Sequence, residues 1–460
     1  MPTITHPPVL PPVPPPAAPT RRAFLKTVGL AFAAAPFVTR NLMADPPTGR
    51  LRHAAVGLSG MGWQDLQQIS SCDHLEIAAL CDVDATLAAK AREAFPAARF
   101  FRDWREMLAK MGGTLDTLNI STPDHMHAPI AAAAMNLGLH AYVEKPLAHE
   151  LHEARRMREI ARAKKRVTQM GIQIHSNAHY RTAARTLREG AIGKVREVHS
   201  WCYKTWGDAA PAPKRADPVP DGLDWDGWLG VCAARPYIGD KYYHPGNWRK
   251  RLDFGTGTLG DMACHIFDPV FDGLDLAAPV SVRSDGAAPA HGNWALDARV
   301  RYTFAGTPFT SGDTLNLFWY DGSNHPPAEV TALVELDKLK DNKLPGQGSL
   351  FIGEKGVLLL PHVSRLALFP TANFKDFQLP RVAGANHWKQ FVEACRGNGR
   401  TTADFDYAGP LTEAVLLGGI AARFPKTTLK WDSAALKFDL KAADKLVRRH
   451  YRKGWEIAGL

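Results

Sequence analysis

Short apolar runs alternate with segments of helical composition along residues 51–170. Each apolar run is typical of a strand buried on both faces. Regular alternation of strands and helices predicts an α/β domain with an open parallel sheet, which binds ligands beyond the carboxyl ends of its strands. The predicted strands are 52–56, 75–81, 100–101, 115–120, 140–143 and 167–170, and the predicted helices are 63–70, 86–95, 104–111 and 128–137.

The pattern becomes less regular after residue 170. Strand-like segments with alternating apolar positions follow one another, and the irregular stretch 205–251 is rich in Pro, Gly and aromatic residues. We therefore expect a first domain over 50–170 and a second over 171–460, with C-terminal helices packing back on the rest. The predicted strands are 196–203, 280–283, 297–304, 314–318, 349–353 and 356–360, and the predicted helices are 180–189, 387–395, 411–424 and a basic amphipathic one over 442–455.

The first 44 residues have the features of an export signal. A Pro-rich leader, expected to be disordered, precedes Arg21 and Arg22, and an uncharged stretch follows at 27–39. That stretch is shorter than the roughly 20 helical residues that span a bilayer, so stable membrane insertion is not expected. The pattern predicts a twin-arginine signal, cleaved after Ala35 or Ala44, and export to the periplasm. The alternative is a buried helix or a membrane anchor beside an accidental Arg pair.

The charge pattern argues against a nucleic-acid partner, and the cysteine pattern argues against a disulfide framework. The formal charge is +10, but the first 44 residues hold four basic residues and no acidic one, which leaves about +6 for the rest. Because charges of both signs are mixed along the chain, we expect no nucleic-acid partner. Six scattered cysteines without a CxxC pair indicate buried small side chains rather than a disulfide framework.

A glycine-rich turn, 57–62, stands between the first predicted strand and the first predicted helix, as a dinucleotide fingerprint requires. Gly57 suits the tight turn, Gly62 allows close packing of the helix, and the amides of the helix N-terminus would hold a pyrophosphate. Ser59 stands where the middle glycine is usual, with Gly60 beside it and Met61 after it.

Asp82 ends the second predicted strand, 20 residues after Gly62. An acid at this spacing accepts hydrogen bonds from a ribose 2′-OH and repels a 2′-phosphate. NAD is therefore favoured over NADP. The alternative is that Asp82 is a helix N-cap or a turn residue.

Two loops follow strands at the ligand-binding edge of the predicted sheet. The first contains the run 121–125, Ser-Thr-Pro-Asp-His, and the second contains Glu144, Lys145 and Pro146. Histidines in and beside the first loop could bind a metal, but no further spaced ligand set is evident. We therefore expect contacts with the cofactor and no metal.

The glycine turn, Asp82 and these two loops together resemble the glucose–fructose oxidoreductase, inositol dehydrogenase and MocA (Gfo/Idh/MocA) family, in a twin-arginine-exported branch. An Asp-x-x-x-His match at Asp261 and His265 strengthens the resemblance, which covers nearly all of the chain after the signal. It implies a Rossmann domain, a C-terminal α/β domain with a large open, mostly antiparallel sheet, and a homo-oligomer. The expected cofactor contacts are Gly57, Ser59, Gly60, Met61, Gly62, Asp82, Ser121, Thr122, Pro123, His125, Glu144 and Lys145.

The resemblance places Lys145, Asp261 and His265 beside the nicotinamide as catalytic residues. Partial desolvation of Lys145 could lower its pKa, so that Lys145 and His265 exchange the proton of a substrate hydroxyl. Asp261 precedes His265 by one helical turn and could orient the imidazole or bind a sugar hydroxyl. The expected substrate contacts, taken from the domain crossing and the aromatic stretch, are Gln173, His175, Tyr180, Arg181, Tyr243, Trp248 and Arg249.

These observations predict an exported NAD-dependent oxidoreductase acting on a secondary alcohol of a sugar, polyol or sugar derivative. Export favours a tightly held cofactor, since no free NAD pool is expected in the periplasm. One alternative is a redox-neutral glycoside hydrolase that keeps NAD bound and cleaves by transient oxidation and elimination. A second alternative is a non-catalytic sugar-binding protein.

Overall fold

Six parallel strands form the first sheet, in the order β3-β2-β1-β4-β5-β6. This is the doubly wound Rossmann order, whose switch point lies between β1 and β4. The computed structural model describes residues 49–460, so the predicted signal and both cleavage sites lie outside the described residues. The strands are β1 (Leu51–Val56), β2 (Leu75–Cys81), β3 (Arg99–Phe101), β4 (Thr117–Ile120), β5 (His140–Glu144) and β6 (Thr168–Gly171), and the helices are α1 (Met61–Ser70), α2 (Ala89–Ala94), α3 (Trp104–Met111), α4 (His127–Asn136) and α5 (Leu151–Lys164).

Nine strands form the second sheet, in the order β13-β12-β11-β7-β10-β9-β8-β14-β15. Among the described residues, β7 and β10 are its only parallel neighbours, so the sheet is mostly antiparallel as expected. The strands are β7 (Val195–Cys202), β8 (Ser281–Ser284), β9 (Arg299–Ala305), β10 (Thr314–Asp321), β11 (Gln347–Gly353), β12 (Val357–Pro361), β13 (Ala367–Phe369), β14 (Thr428–Asp432) and β15 (Lys437–Phe438).

Helices cover the inner face of the second sheet. Phe267 meets Tyr302 and Trp319 edge-to-face, with ring centroids 5.6 and 5.5 Å apart, so aromatic packing fixes one helix on the strands. A π-helical turn, Leu259–Ala263, leads directly into that helix. The helices are α6 (Ala178–Arg188), α7 (Trp225–Leu229), α8 (Cys264–Leu274), α9 (Ala328–Thr331), α10 (His387–Cys395), α11 (Phe405–Ala422) and α12 (Lys441–Asp444).

Helix α11 joins the two sheets. It is apolar all round, as a fully buried helix must be, and packs on α5 and β6 as well as on β8 and β9. The amide of Met170 in β6 donates to the carbonyl of Ala403 just before this helix, 2.8 Å away. The sequence predicted that this helix packs back on the rest of the protein, and in the structure it packs on elements of both sheets.

The C-terminal tail differs from its prediction. Only Lys441–Asp444 is helical, whereas a helix was expected over 442–455. Two arginines of the tail bind fixed partners: Arg449 donates to Glu150, 2.9 Å away, and Arg452 pairs with Asp226. These tertiary contacts replace the solvated face that the amphipathic pattern suggested.

The segment 328–344 packs on the second sheet, where Val330 and Val334 contact the cluster that contains Trp201 and Tyr320. All six cysteines lie in the described part of the chain, and none forms a disulfide. Among residues 49–460, no helix is both long and apolar enough to cross a membrane.

We predict that Gly62→Ala destabilises the protein by about 1–3 kcal/mol, because the added methyl group would overlap the carbonyl of Gly57. Thermal unfolding of the variant measures this loss. Gly113→Ala is the control, since Gly113 is exposed and a methyl group there meets no atom within 4 Å. Equal melting temperatures for the two variants would show that Gly62 in α1 does not pack tightly against Gly57 in the turn.

Candidate active site

A pocket of about 650 Å³ lies at the carboxyl ends of β1, β2, β4 and β5. Its first wall is the glycine turn and the two loops expected to bind a cofactor. Its second wall comes from residues 227–265 of the C-terminal domain. The pocket therefore lies where an open α/β sheet binds its ligand, and the second domain closes it.

The glycine turn is shaped to receive an anion. Gly57 has a φ of +84°, and a side chain there would strike the carbonyl of Ser121. Gly60 has a φ of +57° and faces open space. Helix α1 begins at Met61 with neither a side-chain cap nor an acidic residue in its first turn, so its positive end is available to a phosphate. Ser59 lines the pocket in place of a glycine.

Asp82 is held in a fixed orientation in the pocket wall. Its Oδ2 accepts from the amide of Leu58 at 2.8 Å, and its Oδ1 accepts from the amide of Asp84 at 2.9 Å. Burial raises the pKa of Asp82, although both amides favour the carboxylate. An acid so placed at the end of β2 fits the ribose diol of NAD.

Lys145 and Asp261 form a partly buried ion pair that joins the two walls. The Nζ of Lys145 donates to Oδ1 and to the backbone carbonyl of Asp261, 3.0 and 2.9 Å away. The other carboxylate oxygen, Oδ2, accepts from Lys204 at 3.1 Å and from Trp206 Nε1 at 2.8 Å. The Nε of Arg249 lies 3.5 Å from Oδ1. The carboxylate of Asp261 is therefore surrounded by three cationic side chains.

This pairing sets the charge states in the pocket. Burial opposes the charge on Asp261, but Lys145 and Lys204 hold its pKa well below the usual range. Burial likewise acts to lower the pKa of Lys145, but Asp261 and Glu144 raise it above its ordinary value. The expectation of a lowered lysine pKa is therefore wrong for the described structure, because the paired carboxylate outweighs desolvation.

His265 lies in the pocket wall as a neutral imidazole. Burial, together with the charge of Lys145, holds its pKa well below the ordinary value. Its Nδ1 is buried and has no hydrogen-bond partner among the described residues. Asp261 does not orient this ring, because the π-helical turn directs the carboxylate to Lys145. The ring lines the pocket, where a neutral imidazole can accept a hydrogen bond from a substrate hydroxyl.

A second carboxyl group, Glu144, lines the pocket beside Lys145. Gln173 donates to Oε1 of Glu144 at 2.7 Å, and Glu144 shares a hydrogen bond with buried Asp65. Burial raises the pKa of Asp65 to about 6, and burial together with Asp65 raises that of Glu144. Ser121 and Trp388 donate to Asp65, each at 2.8 Å, and complete a polar network behind the pocket.

Most of the expected cofactor contacts line the pocket, but two do not. Gly62 packs against the turn and not against the cavity, as its packing role implies. His125 is fully buried, donating from Nε2 to the carbonyl of Trp228 at 3.0 Å with its ring against Phe254. The contacts that line the pocket are Gly57, Ser59, Gly60, Met61, Asp82, Ser121, Thr122, Pro123, Glu144 and Lys145.

Three of the seven expected substrate contacts, Gln173, Trp248 and Arg249, line the pocket. The structure places the other four elsewhere, because each has a structural partner. His175 pairs with Asp268, Tyr180 bonds His362, Arg181 donates to the carbonyl of Ala383, and Tyr243 packs on Trp225, Trp228 and Phe254.

Sequence reasoning missed Lys204 and Trp206, both bonded to Asp261. They follow β7 and lie 57 and 55 residues before Asp261 in the sequence, so no local pattern links them to it. His244, which lines the pocket and was not predicted to do so, bonds Asp84 at 2.9 Å. Within residues 49–460, no group of three or more His, Cys, Asp or Glu side chains is placed to hold a metal.

Two models of one oxidoreductase family match the chain and together span more than half of it. One, described as an NAD-binding Rossmann fold, matches residues 51–172, and the other, a C-terminal α/β domain, matches residues 192–309.

Among known proteins, the chain is similar to a levoglucosan dehydrogenase from Pseudarthrobacter phenanthrenivorans, with 26% identity over 41% of this chain and 40% of that one. It is also similar to a glycosyl hydrolase family 109 protein from a Shewanella species, with 25% identity over 38% and 44% of the two chains. The chain thus spans less than half the length of these relatives. The fold matches the WlbA dehydrogenase of Chromobacterium violaceum, solved with NADH and UDP-GlcNAcA, with a TM-score of 0.60, 17% identity, and coverage of 83% and 96%.

We predict that Asp261→Asn destabilises the protein by about 3–5 kcal/mol at neutral pH, because it leaves partly buried cations without their carboxylate. Since the folded state lowers the pKa of Asp261, this contribution is fully present above the unfolded pKa of about 4, declines below it, and is lost only as the pH falls through the depressed folded pKa. Denaturant unfolding at pH 7 and pH 3 measures both effects. The control Asp226→Asn breaks a surface pair with Arg452 and should cost about 1 kcal/mol or less. Similar losses for both variants would contradict the assigned role.

Proposed function

Because the chain belongs to the glucose–fructose oxidoreductase, inositol dehydrogenase and MocA (Gfo/Idh/MocA) family, we propose that it is an NAD-dependent oxidoreductase acting on the secondary alcohol of a sugar, polyol or sugar derivative. The observation that carries the proposal is the position of Lys145. Its ammonium shares one pocket with the glycine turn and Asp82, and Asp261 fixes it there.

The residues divide the chemistry between them. When bound at the glycine turn, NAD supplies the hydride acceptor. As an ammonium, Lys145 donates two hydrogen bonds to Asp261 and has a third donor for the substrate oxygen. Its neutral amine form takes the hydroxyl proton when the alcohol is oxidised, and the ammonium returns that proton in the reverse reaction. Neutral His265 accepts a hydrogen bond from the same or a neighbouring hydroxyl. Glu144 and Gln173 fix the loop behind Lys145.

We also propose that the protein works outside the cytoplasm. The support is the Arg21-Arg22 pair with its short apolar run, which is typical of the twin-arginine route for folded proteins. Export with the cofactor loaded would require tight retention of NAD. We also expect a homo-oligomer in which the second sheet packs against another copy of the chain. Recycling of the cofactor would then occur within the protein or by paired oxidation and reduction of two sugars.

A redox-neutral glycoside hydrolase is the second candidate. The observation that favours it is the similarity to glycosyl hydrolase family 109 proteins at 24–29% identity. The same base and cofactor site would serve transient oxidation. Incubation with a panel of p-nitrophenyl glycosides distinguishes the two, because nitrophenol release without net NADH supports the hydrolase.

We predict that the protein, purified without added nucleotide and then denatured, releases about one NAD or NADH per chain. Absorbance and mass spectrometry of the released fraction provide the measurement. Weak reversible binding of added NAD would instead indicate an ordinary dehydrogenase. Failure to bind NAD at all would overturn the catalytic proposal in favour of a sugar-binding protein.

We predict that Lys145→Met lowers kcat by about 10²–10⁴-fold while most of the NAD stays bound, because the variant lacks the base but keeps the glycine turn and Asp82. Lys110→Met, on the exposed face of α3, is the control and should keep full activity. In the wild type, Asp261 and Glu144 raise the pKa of Lys145, so the neutral base becomes more abundant as pH rises. Turnover at saturating substrate should therefore increase between about pH 7 and 10, and a flat profile would remove Lys145 from the rate-limiting proton transfer.

A further inference from the structure

Arg249 contacts two indole rings at the edge of the pocket. The central carbon of its guanidinium lies 4.2 Å from the centre of the Trp248 ring and 5.5 Å from that of Trp206. Trp206 is itself fixed by its bond to Asp261. Cation–π contacts with two rings restrict the guanidinium, which lowers the entropy that it loses on binding a ligand.

The outer end of this guanidinium is free to bind. Its Nε faces Asp261 at 3.5 Å, whereas its two terminal nitrogens have no hydrogen-bond partner within residues 49–460. The side chain is 30% exposed and lines the pocket. A planar fork of N–H donors matches the two oxygens of a carboxylate.

The local charge also favours an anion. Lys145, Lys204 and Arg249 surround the single carboxylate of Asp261, which leaves this cluster with a positive excess. Glu144, which also lines the pocket, shares a hydrogen bond with Asp65, and burial disfavours charge on both. The end of the pocket around Asp261 therefore favours an anionic ligand.

We propose that the substrate carries a carboxylate, as a uronic or aldonic acid does, and that Arg249 receives it while Lys145 meets the reacting hydroxyl. This rests on the proposed function and narrows its substrate class. A carboxylate matches the planar fork of the guanidinium with its two oxygens, and a sugar phosphate is the competing anion that the test includes.

The test compares acidic and neutral sugars on the full NAD-loaded protein. Glucuronate, galacturonate, mannuronate and gluconate are titrated calorimetrically against glucose, galactose, mannose and sorbitol. At least one acid should bind about 10-fold or more tightly than its neutral counterpart. Arg249→Met should weaken binding of that acid by about 10–100-fold, as expected for a charge-assisted hydrogen bond, and weaken binding of its neutral counterpart much less.

Lys250→Met is the matched control, because it removes an adjacent positive charge that does not line the pocket. It should leave the preference for the acid unchanged. Equal binding of acids and neutral sugars, an equal effect of both substitutions, or tighter binding of glucose 6-phosphate than of any acid would overturn the carboxylate assignment. Retained NAD with turnover of neutral sugars alone would leave the proposed function standing without this inference. Binding of an acid by a protein that binds no NAD would support the carboxylate site and overturn the proposed oxidoreductase function.

Discussion

The ion pair between Lys145 and Asp261 is the contact on which the site depends. It joins the end of β5 in the first sheet to the π-helical turn that leads into α8 of the second domain. The same carboxylate also binds Lys204 and Trp206, which follow β7. Three separate segments therefore converge on one buried group. Placing a carboxylate there is favourable only because several donors compensate for its desolvation.

The surrounding packing supports that convergence. Beneath the pocket, the rings of His125, Trp228 and Phe254 lie 4.8–5.6 Å apart and fill the space between the two domains. Close behind, Asp124 accepts from the hydroxyl of Thr256 at 2.6 Å, which fixes the loop after β4 to the segment before the π-helical turn. Side chains of the first domain thus position the wall of the second. The pocket is a product of the interface and belongs to neither domain alone.

Sequence patterns predicted the first domain closely, because strands buried on both faces and a glycine turn have strong local signals. The strand pattern also predicted that Asp82 and Lys145 lie at the ligand-binding edge of the first sheet. In contrast, β14 was missed although its alternation, Thr-Leu-Lys-Trp-Asp, is regular, since five residues give little to distinguish a strand from a loop. His125 and Tyr243 were assigned to ligands because they are polar or aromatic residues near a binding loop. Their partners, Trp228 and Phe254, are distant in sequence or lie in an irregular stretch, so no local pattern revealed that they are core residues.

The π-helical turn, Leu259–Ala263, has a consequence for how such sites are compared between proteins. In an α-helix, residues four apart lie one above the other, so Asp261 and His265 would share a face. A wider turn changes that relation without altering their separation in the sequence. An Asp-x-x-x-His motif in an alignment therefore gives the order of the two residues but not whether they touch. Two homologues with identical letters here can differ in which base the carboxylate serves, and only their backbones would tell them apart.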